Sequence, residues 1–169
     1  MELPHEWREF IDLLLSHRVR FVVVGAHALA ALGRPRATQD IDLLVEPTEA
    51  NARRLCDALK AFGFTALARE QVAFTEPDRM ATLGQPPLRI DVMTSISGVT
   101  FEEAWAGRVK TRVGGRTIGF LGRAEFVKNK RASGRTKDLL DIALLEESAP
   151  PRRARAKKAP RKRGRKRAR

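Results

Sequence analysis

The stretch Val22–Glu46, VVVGAHALAALGRPRATQDIDLLVE, decides how the rest of the chain is read. Valines 22 to 24 run into Gly25-Ala26, an alanine- and leucine-rich segment follows, and Asp40 and Asp42 then stand one residue apart in an apolar run. β-Branched residues favour a strand, and a glycine breaks it. Side chains alternate across a strand, so Asp40 and Asp42 project from one face, opposite Ile41 and Leu43. Two adjacent carboxylates repel, and acids are rarely buried without a partner. A divalent cation is the simplest way to make the pair favourable. The expectation is a metal site at the edge of a sheet. Beside it, the Gly25-Ala26 turn presents unsatisfied helix N-terminal N–H groups that can hold phosphate.

Working outward, residues 4–18 place Trp7, Phe10, Ile11, Leu14 and Leu15 at helical spacing behind Pro4. Residues 20–24 form a short buried strand, 26–32 a helix capped by Gly33, and 37–45 a second strand. Thr38, Asp40, Asp42 and Leu44 then share a face. The intervening helix and loop predict adjacent strands joined by a short crossover. Thr48 is the N-cap of a helix whose stripe is Leu55, Leu59 and Phe62, with Gly63 as its stop. Residues 64–68 are a candidate strand, and the rest of 64–86 reads as loop with short elements. Residues 88–93, LRIDVM, form a strand with one acid, Asp91. A short helix or turn covers 101–106. Residues 108–112 and 117–121 flank Gly114-Gly115 as a hairpin, and 123–130 and 136–145 are helices. The fold class is α/β (α+β): a mixed sheet with helices on its faces.

If 88–93 pairs beside 38–45, Asp91 joins Asp40 and Asp42 as a third carboxylate. Mg²⁺ (or Mn²⁺) takes hard oxygen ligands and commonly bridges a few carboxylates to substrate phosphates. Two such ions can clamp the attacking and leaving oxygens of a phosphoryl displacement. Arg36 and Thr38 precede the acids; Arg36 either reaches phosphate oxygens or pairs with a surface acid. Lys137 sits at a helix N-terminus, where its charge opposes the dipole, so another partner is expected. Asp138 in the same turn is favoured by that dipole. His27 either meets phosphate or packs beside the sheet, and Asp141 reads as structural.

The pattern of hydrophobic residues, Gly25-Ala26, a short helix and then Arg36-x-Thr38-x-Asp40-h-Asp42 resembles the DNA polymerase beta-like nucleotidyltransferase superfamily. Within it, GAHALAALGRPRATQDIDLLV and FVKNKRASGRTKDLLDIALL are most similar to small AbiEii-type, type IV toxin-like nucleotidyltransferases. The resemblance covers about residues 4–146. It implies a nucleotidyltransferase-type mixed sheet with C-terminal helices. It also implies metal-binding acids at Asp40, Asp42 and Asp91, and a nucleoside triphosphate as donor. Lys130 would contact the triphosphate, and Asp138 would orient Lys130 or the base. The implied acceptor is a hydroxyl of tRNA-like RNA or of protein, with a cognate antitoxin among the partners. The chain departs from the superfamily at Ala26, where a serine hydroxyl commonly touches phosphate. That departure supports the alternative of a catalytically weak antitoxin-like, regulatory or nucleic-acid-binding module.

Composition supports one domain over 1–148 and a disordered tail over 149–169. The net charge is +13, yet residues 152–169 hold twelve Lys/Arg and no acid, leaving the rest nearly neutral. Such a tail suits salt-dependent binding of RNA without base reading. Cys56 is the only cysteine, which excludes an intrachain disulfide and suits a buried structural thiol. His5 and His17 lack Cys/His neighbours, so zinc is not supported. No apolar run reaches the ~18 residues of a membrane span, and the N-terminus lacks a signal-peptide core. A cytoplasmic protein is expected, with no membrane partner.

Overall fold

The computed structural model describes residues 3–146. Helix α1 (His5–Ser16) leads into strand β1 (Phe21–Val23), helix α2 (Gly25–Ala31), strand β2 (Asp40–Val45) and helix α3 (Glu49–Ala61). Two 3-10 turns follow, Leu67–Arg69 and Val72–Thr75, then β3 (Met80–Leu83) and β4 (Arg89–Met93). The chain continues with α4 (Phe101–Gly107), β5 (Val109–Val113), β6 (Arg116–Phe120), α5 (Arg123–Ser133) and α6 (Thr136–Glu146). The six strands form one mixed sheet in the order β3-β4-β2-β1-β6-β5. The expected basic tail from residue 149 lies outside the described residues. Among those described, no helix is long and apolar enough to cross a membrane.

The core follows the periodicities. Trp7, Phe10, Ile11 and Leu14 are the buried stripe of α1. Leu55 and Leu59 anchor α3, with Cys56 buried beside them. Thr48 caps α3 by accepting the Asn51 N–H, worth about 1 kcal/mol. The buried Asn51 side chain accepts from the Arg20 N–H at 2.7 Å and donates to the Arg20 and Glu46 carbonyls at 3.0 Å. It thereby ties the entry of β1 to the exit of β2 and leaves no polar group of its amide stranded.

Four features differ from expectation. β1 and β2 are neighbours but antiparallel, with Val23 paired to Leu43. A helix of seven residues and a loop do not span the sheet, so the chain turns back at the end it left. Residues 64–68 form no strand; Phe64 stacks on Phe62 with ring centroids 5.7 Å apart, and a 3-10 turn follows. Met80–Leu83, inside the expected loop, is an edge strand with alternating exposed and buried residues. β2 begins at Asp40, so Thr38 precedes it and is not a strand residue.

This topology positions the acids. β2 and β4 run parallel with Asp42 opposite Asp91 and Asp40 opposite Arg89. Along β2 burial reads half-open at Asp40 and Asp42 and closed from Leu43 onward. The acid-bearing face is therefore open at the end where β1 meets α2, and packed beyond it.

Candidate active site

Ten of the residues singled out from the sequence line one cleft of ≈ 810 Å³, and His27 and Asp141 are not among its lining. Asp40, Asp42 and Asp91 form its floor on β2 and β4. Gly25 and Ala26 stand at its β1–α2 wall, Arg36 and Thr38 on the loop before β2, and Lys130, Lys137 and Asp138 on α5 and α6.

Gly25 is fixed by two independent constraints. Its φ of +61° is disfavoured for any residue with a Cβ. A Cβ there would also overlap the Asp42 carboxylate. Gly25→Ala is expected to lower stability by about 1–3 kcal/mol and to displace the Asp42 side chain. Thermal melting reads the first effect, and loss of divalent-cation stabilisation reads the second.

The three acids sit in different electrostatic surroundings. Asp40 accepts from Thr38 Oγ1 at 2.5 Å and from Arg89 Nη2 at 2.5 Å. Burial opposes ionisation, but these donors and nearby Lys137 hold its pKa below the usual value. Asp91 is buried, accepts from Thr82 Oγ1 at 2.8 Å and lies 3.1 Å from Arg89 Nη2. Asp42 is pushed up to about 6, first by burial and then by the charges of Asp40 and Asp91, with Lys130 and Arg89 only partly opposing.

The donor chemistry fits a divalent cation. The carboxylates occupy facing positions on neighbouring strands, and Asp42 carries an excess of negative charge that a cation would relieve. Among the described residues no cage of three or more His, Cys, Asp or Glu is gathered ready for a metal. Arg89 instead supplies positive charge between Asp40 and Asp91.

The second charged layer is buried. Lys130 Nζ donates to Asp138 Oδ1 at 2.5 Å and lies 3.2 Å from Asp141 Oδ2. Lys130, Asp138 and Asp141 are each at least nine-tenths buried. Lys130 holds the Asp138 pKa below its usual value despite burial. The structure places Arg36 with Asp141, which accepts from its Nε at 3.0 Å and from Nη2 at 3.4 Å. Of the two roles open to Arg36, pairing with an acid is the one observed, and that acid is buried. Asp138 accepts from Lys130 with Oδ1, while its Oδ2 is buried without a partner. His27 packs edge-on against Trp7 at 5.1 Å.

Sequence reasoning missed Arg89, Thr82 and the double role of Asp141. Arg89 has a readable signal: it stands two residues before Asp91, the same spacing as Asp40 and Asp42. Thr82 had none, because its strand was not recognised.

No family model matches the chain, and no curated protein matches it. Solved structures do. One, from Thermotoga maritima and described as a candidate nucleotidyltransferase, is 16% identical, with a TM-score of 0.50, over 83% of this chain and 88% of its own. Another, the lincosamide antibiotic adenylyltransferase LnuA with lincomycin bound, is 14% identical, with a TM-score of 0.49, over 86% of this chain and 97% of its own. The first likeness is one of fold: the six-stranded mixed sheet and its helices have a nucleotidyltransferase-type architecture.

Proposed function

We propose that this chain is a metal-dependent nucleotidyltransferase that moves a nucleoside monophosphate from an NTP to a hydroxyl of tRNA-like RNA. The observation that carries it is the convergence of Asp40, Asp42 and Asp91 on neighbouring strands, in one cleft with the Gly25 turn and a buried lysine. Asp40, Asp42 and Asp91 would hold Mg²⁺ or Mn²⁺, which would neutralise phosphate charge and align an in-line displacement. The acceptor oxygen bonds to the α-phosphorus as the bond to the bridging oxygen of the β-phosphate breaks, and pyrophosphate leaves. The hydroxyl proton passes to a carboxylate, and Asp91 is the residue we assign as its acceptor. Lys130, Lys137 and the backbone at Gly25-Ala26 bind the triphosphate. Asp138 and Asp141 hold Lys130 so that its orientation is fixed before substrate arrives.

RNA is the favoured acceptor because twelve Lys/Arg in residues 152–169 suit a polyanion. We assign residues 1–148 as the catalytic domain and 149–169 as its tail. Removing residues 150–169 is expected to weaken RNA binding roughly 10²-fold at moderate salt and to flatten its salt dependence, with the melting temperature unchanged. Filter binding across a salt series checks this. The segment FVKNKRASGRTKDLLDIALL favours an AbiEii-type, toxin-like role in the cytoplasm with a cognate antitoxin. Growth arrest on expression tests that role.

The test of the reaction is transfer to total RNA from NTPs labelled at either phosphorus. Label from the α-phosphate enters RNA and pyrophosphate is released. Transfer of γ-label instead would contradict the proposal, and label in protein would reassign the acceptor. One feature favours a second reading: Ala26, 5% exposed, leaves the turn without a hydroxyl. A regulatory module would bind NTP and transfer neither label.

A further inference from the structure

The acid face has four corners, and only three are acids. Asp40 stands opposite Arg89 and Asp42 opposite Asp91 in the paired register, and the two-residue spacing puts all four on one side of the sheet. Arg89 Nη2 donates to Asp40 Oδ2 at 2.5 Å and reaches Asp91 Oδ2 at 3.1 Å. One nitrogen thus bridges two carboxylates that a cation would need. Asp42 takes no part in the bridge, and among the described residues it forms no ion pair.

The bridge uses little of the guanidinium. Arginine carries five N–H donors in a planar fork, and here Nε is buried with no partner. The Arg89 side chain is nevertheless 37% exposed at the cleft, so it can turn without unfolding the strand. A guanidinium and a divalent ion on the same carboxylate oxygens repel one another at short range. Triphosphate oxygens offer the guanidinium a bidentate partner that a pair of split carboxylates does not.

We propose that Arg89 is a positioning residue, the resting counter-ion of Asp40 and Asp91, which leaves them to a divalent cation only when a triphosphate takes its guanidinium. This rests on the acid face being the metal site. Metal alone competes with Arg89, whereas metal together with nucleotide does not. The two ligands therefore tighten each other's binding, by the same factor in each direction. The acids stay paired when the cleft is empty, and a cation without nucleotide is held weakly.

The test is Mn²⁺ binding to the full chain, followed by the electron paramagnetic resonance of free Mn²⁺. It is run with and without an NTP analogue carrying a methylene between the α- and β-phosphates, against an analogue-only control. In the wild type the analogue tightens Mn²⁺ binding at least about tenfold. Arg89→Gln binds Mn²⁺ alone about tenfold more tightly than the wild type, and the analogue tightens it further by less than in the wild type. Arg89→Met, which keeps the aliphatic stem, is the second variant and carries the same expectation should the glutamine form fold poorly. Mn²⁺ affinity unchanged or weakened in the folded variants, or coupling retained in full, overturns the role of Arg89. Asp42→Asn separates the two levels. If Mn²⁺ binding survives it unchanged, the metal site itself is wrong. If binding is lost but removing Arg89 has no effect, only the counter-ion role fails.

Discussion

Asp42→Asn is expected to abolish nucleotidyl transfer while making the free protein more stable. Asp42 is the acid with the least compensation: burial and the charges of Asp40 and Asp91 push it up to about 6. An acid with a raised folded-state pKa carries no penalty below its unfolded value near 3.8. The penalty grows as pH rises through 4 to 6 and is complete above that. The rise from near 3.8 to about 6 corresponds to roughly 3 kcal/mol at neutral pH, or a melting shift of about 5–10 °C. The neutral amide removes the penalty, so the gain is seen at pH 7 and vanishes near pH 4. Mn²⁺ added with an NTP analogue raises the wild-type melting temperature at pH 7 above the analogue alone, and leaves the variant without that extra rise. Transfer falls on the order of 10³-fold, because charge stabilisation at the phosphate is lost. On this prediction a single residue would set stability against function, as expected where an active site stores unfavourable charge.

Lys130→Met is expected to give the largest loss of stability in the cleft. Lys130 is buried between Asp138 and Asp141; removing it strands the buried Asp138 carboxylate and leaves Asp141 with Arg36 alone. Breaking such a network from one side costs about 3–5 kcal/mol. The sign with pH follows from Asp138, whose pKa Lys130 depresses. Its stabilisation is present above the ordinary aspartate value and is lost as pH falls through the lower folded value. The variant is therefore most destabilised at neutral pH, and the gap to wild type narrows in acid as the stranded Asp138 protonates. Melting curves at pH 7 and pH 4 measure this. Lys130→Arg keeps a charge and is expected to recover part of the stability but little of the transfer, because the fork does not fit a lysine-sized buried site.

Much of this site was legible in Val22–Glu46. The i, i+2 spacing of Asp40 and Asp42 is a property of any strand, and the valines before Gly25 identify the turn. Asp91 was legible for the same reason, as an acid within an apolar run. What joins them was not. Whether β4 lies beside β2 depends on pairing between distant segments, which local pattern does not specify. Nor did it show that β1 and β2 are antiparallel. β3 escaped because a four-residue edge strand, with Met80 and Thr82 turned outward, differs little from a loop. Arg36 and Asp141 are 105 residues apart, and their pairing appears only once α6 is placed against the loop before β2. Arg89 is invisible to a pattern made of acids alone. Every second position of β4 shares the acid face, whatever its charge.

The most direct measurement is transfer of α-labelled nucleotide to RNA, in the presence of Mg²⁺ or Mn²⁺, by the wild type beside Asp40→Ala plus Asp42→Ala. The wild type labels RNA, chelation of the divalent ion stops it, and the double variant, still folded by circular dichroism, leaves RNA unlabelled. Labelling that persists in the double variant would contradict the assignment of the acid face as the catalytic metal site.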